Sequence, residues 1–187
     1  MAPRDPEAKR RQLLEAALAE FAEHGIAGAR VDRIAVRAGC SAGLVYTYFG
    51  SKDDLFDAVF DHVVVRTVEE FPLDAHDLPE YAGGLFDGQT AHPEVMRLAT
   101  WHRLESEGRA PVPAITKANE EKVAAVRAAQ EEGVVTDRFP AEHLLMLVIN
   151  TASTWSVQSR EITDLADDDH ARRRATVVEA VRRLVEP

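Results

Sequence analysis

Apolar residues recur at helical spacing along almost the whole chain, and no stretch shows the strict alternation of a half-buried strand. Leu13, Leu14, Ala17, Leu18, Phe21 and Ala22 fall three and four apart. They predict an amphipathic helix over residues 7–24, stopped by Gly25. Ile34, Ala35 and Ala38 mark a short helix ending at Gly39. Ser41 is placed to cap a second short helix over residues 42–48, which Gly50 breaks. Ser51 is placed to cap a longer helix whose core stripe is Leu55, Phe56, Val59, Phe60, Val63 and Val64. Residues 71–79, with two prolines and two acids, read as a linker loop. Further helices are predicted at 80–91, 93–106, 113–132, 140–159 and 167–186, with a loop at 107–113. Pro93, Pro113 and Pro140 all stand where a first helical turn tolerates proline. The fold class predicted is therefore all-α.

The 187 residues are 45% hydrophobic, enough for one large core or for a small head on a larger body. The formal net charge of -10 argues against a protein that coats nucleic acid along its whole surface. The charge is uneven, however. Residues 1–60 hold 8 Lys and Arg against 9 Asp and Glu; the remainder holds 14 against 23. The acidity belongs to the second part, while the first is nearly neutral with local basic clusters. A single cysteine, Cys40, excludes an internal disulfide and fits a reducing compartment. The first 20 residues do not read as a signal peptide, and no apolar run approaches the roughly 20 residues of a membrane span. A cytoplasmic location and no membrane partner are expected.

Residues 31–50 read VDRIAVRAGCSAGLVYTYFG. Two short helices meeting at a steep angle need a small residue at the crossing, which Ala35 supplies. They need a residue tolerant of positive φ at the turn, which Gly39 supplies. Ile34, Ala38, Cys40 and Val45 have the spacing to pin the pair together, and Leu14, Leu18 and Phe21 would close the core from the preceding helix. This combination is a helix-turn-helix. The residues Ile34-Ala35, Ala38-Gly39-Cys40-Ser41, Gly43, Tyr46, Tyr48-Phe49, Ser51-Lys52 and Leu55-Phe56 resemble the TetR family of bacterial regulators, densely so over residues 9–60. The stretch His92-Pro93, Arg97-Leu98, Trp101, Leu104-Glu105 looks like a body subtype within that family. The resemblance implies a three-helix DNA-binding head over residues 1–50. It also implies a ligand-binding and dimerisation body over 51–187, with 51–70 as the linking helix.

The resemblance places Ala42, Gly43, Leu44, Tyr46, Thr47 and Tyr48 against DNA, with the second short helix in the major groove. Ala42 and Gly43 allow close approach, and Thr47 suits a base edge or a thymine methyl. The Tyr46 and Tyr48 hydroxyls suit phosphates. Arg30 stands where the family often has a capping Ser or Thr, so a cap is weakened and a phosphate-binding guanidinium gained. Lys52 lies in the first turn of its helix, where the helix dipole disfavours a cation; a bound phosphate would reconcile the two. Arg4, Lys9, Arg10 and Arg11 form a basic cluster, and Arg33 and Arg37 are further phosphate candidates. No bidentate Arg or Asn on the recognition helix names an operator sequence.

One head covers few base pairs, and a two-fold dimer on a near-palindrome is expected. The run from Leu144 to Ile149 is apolar all round, so it must be buried on several sides. Leu144, Leu147 and Val148, with Val178, Val181 and Val185 of the last helix, are the residues expected at the dimer interface. Met96, Trp101, His102, Leu104, His143, Met146, Asn150 and Trp155 combine apolar bulk with polar groups and are the pocket candidates. The acidic body suggests a cationic, lipophilic small-molecule effector. His102 and Glu105 share a helical face at a spacing that suits a metal, but the seven histidines are scattered; no metal and no cofactor are expected. No G-x-S-x-G, H-E-x-x-H, P-loop or Rossmann pattern is present, so an enzyme is not expected. The function expected is a DNA-binding transcriptional regulator, a repressor released by its effector. A regulator that senses no small molecule is the alternative, and a helical enzyme a distant one.

Overall fold

The computed structural model describes residues 5–105, 112–166 and 169–187. Arg4, residues 107–111 of the expected loop, and residues 106, 167 and 168 of the expected helices lie outside them. Eleven helices and no strand occur among the described residues. The chain divides into two compact units, residues 1–66 with 94–114, and residues 67–93 with 115–187.

In the first unit, α1 (Pro6–Gly28) starts at Asp5, whose carboxylate accepts the Glu7 N–H at 3.0 Å. Gly25 kinks this helix rather than stopping it. Its φ of +66° suits glycine, and a further turn follows in which the Ala29 N–H donates to Gly25 O at 3.2 Å. Helices α2 (Val31–Arg37) and α3 (Ala42–Phe49) follow, then α4 (Lys52–Glu70). Leu13, Leu14, Ala17 and Phe21 of α1, Leu55, Phe56 and Val59 of α4, and Leu98 of α6 (Pro93–Glu105) are fully buried. Phe21 meets Phe56 edge to face at 5.1 Å.

In the second unit the expected linker is shorter than predicted. Asp77 caps α5 (Leu78–Ala91), accepting the Glu80 N–H at 3.1 Å, so Pro79 sits inside the first turn. Helix α7 (Pro113–Glu131) precedes α8 (Ala141–Ala152). The helix predicted over 140–159 breaks at Ser153 into α8 and the single turn α9 (Thr154–Val157). A short α10 (Arg160–Thr163), which no periodicity announces, precedes α11 (His170–Val185). Helices α5, α8 and α11 pack on one another, with Val126 and Ala129 of α7 closing the core. Gly83 permits the close approach of α5 and α11: a Cβ there would lie 3.0 Å from both the Arg174 guanidinium and Val178. Arg174 donates Nε to Asp87 Oδ2 at 2.8 Å and pairs with Glu80.

This packing changes the expected dimer assignments. Leu144, Val148, Val181 and Val185 belong to the protomer's own core, and Val178 lies against Gly83. The run 144–149 is apolar on both sides of α8, so its spacing alone cannot give the phase. Ala141, Leu144, Leu145, Val148 and Ala152 face inward, while His143, Met146, Leu147 and Asn150 face out. Met146 and Leu147 remain 60% and 42% exposed.

Candidate nucleic-acid interface

The elbow between α2 and α3 is built as its residue types require. Gly39 carries φ +59°, and the Cys40 N–H donates to Ala35 O at 2.9 Å across the turn. Ile34, Ala35 and Ala38 are buried below it, together with Val45 and Phe49 of α3. Cys40 is only half-buried, less enclosed than the small core residue expected. Ser41 Oγ accepts the Leu44 N–H at 3.3 Å and so caps α3.

With Val45 and Phe49 turned inward, α3 presents Gly43, Tyr46 and Thr47 to solvent. Ala42, Leu44 and Tyr48 flank that face half-buried. Tyr46 is 49% exposed, so its ring belongs to the surface rather than the core. Thr47 Oγ1 donates to Gly43 O at 2.9 Å, which leaves its methyl and its lone pairs outward.

The cations divide by what holds them. Arg30 takes the N-cap position of α2 without any side-chain cap, as its replacement of Ser or Thr implies. Its own N–H donates to Glu20 Oε1 at 2.9 Å, while its guanidinium lies 3.8 Å from Asp32 at the surface. Arg33, a phosphate candidate by sequence, has an internal partner. Its Nε donates to Glu20 Oε1 at 2.7 Å, and its Nη2 lies 2.6 Å from the same oxygen and donates to Gly28 O at 3.1 Å. Burial pushes the Glu20 carboxyl up, but the Arg33 and Arg30 hydrogen bonds outweigh it and hold it below the usual range.

Lys52 also has a partner besides any phosphate. Its Nζ donates to Ala27 O at 3.4 Å and Ala29 O at 3.3 Å. The ammonium thus sits at the carbonyl end of α1, where a cation is favoured, and this resolves its unfavourable place at the start of α4. Lys9 does the same for α2, donating to Ala38 O at 2.6 Å. Arg10 lies over the Phe49 ring at 5.5 Å. Much of the N-terminal basic cluster therefore fastens the head together. Arg11 and Arg37 are exposed.

The eight pocket candidates do different work. Trp101 packs on Gly25, and His102 stacks on Phe60 with ring centroids 4.0 Å apart. Met96 is half-buried, and Leu104 is 64% exposed. His143, Met146 and Asn150 lie on the outer face of α8, where Asn150 Nδ2 donates to Met146 O at 2.8 Å. Trp155 does line a cavity, of about 290 Å³, with Thr154, Gln158 and Ile162. No group of His, Cys, Asp and Glu with metal-ligand geometry occurs among the described residues. Among them, too, no helix is long and apolar enough to cross a membrane.

Residues 13–59 match the model of bacterial regulatory proteins of the tetR family, and residues 77–183 match the tetracyclin repressor-like C-terminal domain. The HTH-type transcriptional repressor SCO4008 of Streptomyces coelicolor is 40% identical, over 100% of each chain. The solved structure of SCO4942 from Streptomyces coelicolor superposes with a TM-score of 0.85 at 38% identity, over 95% of this chain and 98% of that one. The fold is also that of FadR from Bacillus subtilis in complex with stearoyl-CoA: TM-score 0.71, 17% identity, 91% of this chain and 96% of that one. Matching head, matching body and the exposed face of α3 agree: the chain belongs to the TetR family and is a DNA-binding transcriptional regulator.

Proposed function

We propose that this regulator is a homodimeric repressor that grips a near-palindromic operator with two copies of α3 and releases it when a small molecule binds the body. The observation that carries the DNA mode is the outward face of α3, raised on a closed core. In this reading Ala42, Gly43, Leu44, Tyr46, Thr47 and Tyr48 meet the major groove, and Arg30 and Lys52 meet phosphates. Lys52 keeps one ammonium proton for that purpose beyond the two bonds to α1. The dimer would close over the outer face of α8, where Met146 and Leu147 offer apolar surface between His143 and Asn150. The relative SCO4008 is called a repressor, which favours repression over activation here.

A specific cavity favours a cationic, lipophilic effector. A cleft of about 280 Å³, open to solvent, is lined by Glu70, Phe71, Asp74, Asp77, Glu80 and Tyr81; Glu80 also pairs with Arg174, Asp74 with His76, and Asp77 caps α5. Carboxylates and aromatic faces together suit a cation with an apolar body. To release DNA, such a ligand must bind the two states of the regulator unequally. An affinity loss of about 100-fold requires about 2.7 kcal/mol of coupling.

The test is a duplex selected from a random pool by the full chain, then titrated in the presence of lipophilic cations and matched anions. The expected result is a two-fold symmetric protected site, a melting temperature raised by cations, and release of the duplex by the same compounds. Stabilisation by anions alone would reject the ligand class. A stabilising compound that leaves duplex affinity unchanged would reject the release mechanism. If no compound stabilises the chain, the regulator without an effector is the better account.

A further inference from the structure

The kink in α1 is held by a helix that follows it by some seventy residues. At Gly25 the backbone leaves helical values, with φ +66° and ψ -177°. A break of this kind interrupts the ladder of N–H to carbonyl bonds, so the turn after it begins with N–H groups that need other acceptors. The Ile26 N–H finds its acceptor in α6: it donates to Glu105 Oε2 at 3.1 Å. Trp101, one turn earlier on α6, covers the break. A Cβ at Gly25 would lie 2.7 Å from Glu105 Oε1 and 2.9 Å from Trp101 Cε3. Glycine is therefore required twice over at this position, for its dihedral angles and for the approach of α6.

The segment after the kink leads directly into α2, and through α2 into the recognition helix. Four side chains from four helices fix its backbone, one of them the Arg33 guanidinium of α2, which donates to Gly28 O. Glu105 of α6 takes the Ile26 N–H, Lys52 of α4 takes the carbonyls of Ala27 and Ala29, and Glu20 of α1 takes the Arg30 N–H. Glu105 lies on α6, which follows α5 in the chain, 79 positions after the residue whose N–H it accepts.

We propose that Glu105 is a positioning residue for DNA binding: by accepting the Ile26 N–H it sets the exit of α1, and with it the placement of α2 and α3, without touching DNA. A carboxylate accepting a main-chain N–H is worth enough for its loss to weaken binding by about tenfold. No phosphate contact is involved, so the dependence of affinity on salt should not change.

Two substitutions in the full chain separate reach from charge. Glu105→Asp keeps the charge but shortens the arm by one methylene, and Glu105→Gln keeps the arm and an acceptor oxygen without the charge. Each is measured against the duplex selected by the unaltered chain, at several salt concentrations, with hydrogen exchange at the Ile26 amide. Glu105→Asp should bind about tenfold more weakly with the salt slope unchanged, and its Ile26 amide should exchange faster. Glu105→Gln should recover most of both. Duplex affinity within twofold of the parent for Glu105→Asp, at an Ile26 amide that has lost protection, would overturn the proposal. So would a Glu105→Gln variant that keeps Ile26 protected yet binds as weakly as Glu105→Asp, since charge rather than the bond would then be at work. If Glu105→Asp keeps Ile26 protected, Glu105→Ala, which has no acceptor, takes its place under the same two criteria.

Discussion

Glu20 shows how one residue can hold a turn on which recognition depends. Its carboxylate is buried and takes the Arg30 N–H and the Arg33 guanidinium, closing the passage from α1 to α2. Replacing it by alanine should cost about 2 kcal/mol of stability, read as a lower urea midpoint. The pH dependence follows from the direction of its shift. The folded carboxyl ionises below the usual range, so its contribution is complete above the unfolded value and is lost as pH falls through the folded one. The parent chain should therefore lose its stability margin over Glu20→Gln below about pH 4. A margin that stays constant from pH 7 to pH 3 would show that the ion pair contributes nothing. The sequence displays Arg33 as a surface cation and does not reveal this partner, thirteen positions earlier on another helix. Lys9 and Lys52 likewise have partners that the sequence does not display. Their charge is legible in the sequence, but the helix end lying beneath each of them is a tertiary fact.

At the level of elements, the helices follow largely from apolar spacing, and where they fail to follow the cause is packing against other helices or a local polar stretch. The break at Ser153 falls where the apolar pattern gives out, among Asn150, Thr151, Thr154 and Ser156, and the kink at Gly25 is held by α6. The inward phase of α8 depends on α5 and α11, since Leu144–Ile149 would suit either side. A second glycine contact makes the packing of α5 testable. A Cβ at Gly88 would lie 2.5 Å from Phe71 Cε2 and 2.6 Å from Cζ, so the Phe71 ring occupies the room of the missing side chain. Gly88→Ala should destabilise the chain by about 1–3 kcal/mol through overpacking. On a Phe71→Ala background the same change should cost much less, because the obstructing ring is gone. Equal costs on both backgrounds, measured by urea unfolding, would mean that Phe71 does not sit there in solution.

For the whole molecule, DNA binding was legible in residues 31–50 because a helix-turn-helix constrains small, turn-forming and apolar residues within one short stretch. The body offered no such local signature. Its cavity of carboxylates and rings assembles residues from the end of α4, the following loop and α5. Of the residues expected to line a pocket, Trp101 packs on Gly25 of α1 and His102 stacks on Phe60 of α4. Of the apolar residues that the sequence suggests for a dimer face, Leu144, Val148, Val181 and Val185 lie in the core, Val178 is half-buried against Gly83, and Leu147 faces outward. Changing Leu147 to glutamate should weaken self-association, seen by sedimentation, and weaken duplex binding with it. Above all, recognition should reside in the outward side chains of α3. The decisive measurement is the affinity of Tyr46→Ala/Thr47→Ala for the duplex that the parent chain selects, with circular dichroism to confirm an intact helical fold. A folded variant that binds at least about tenfold more weakly, with reduced discrimination against non-selected sequence, is the result predicted. A folded variant that binds and discriminates like the parent would place DNA recognition elsewhere on the molecule.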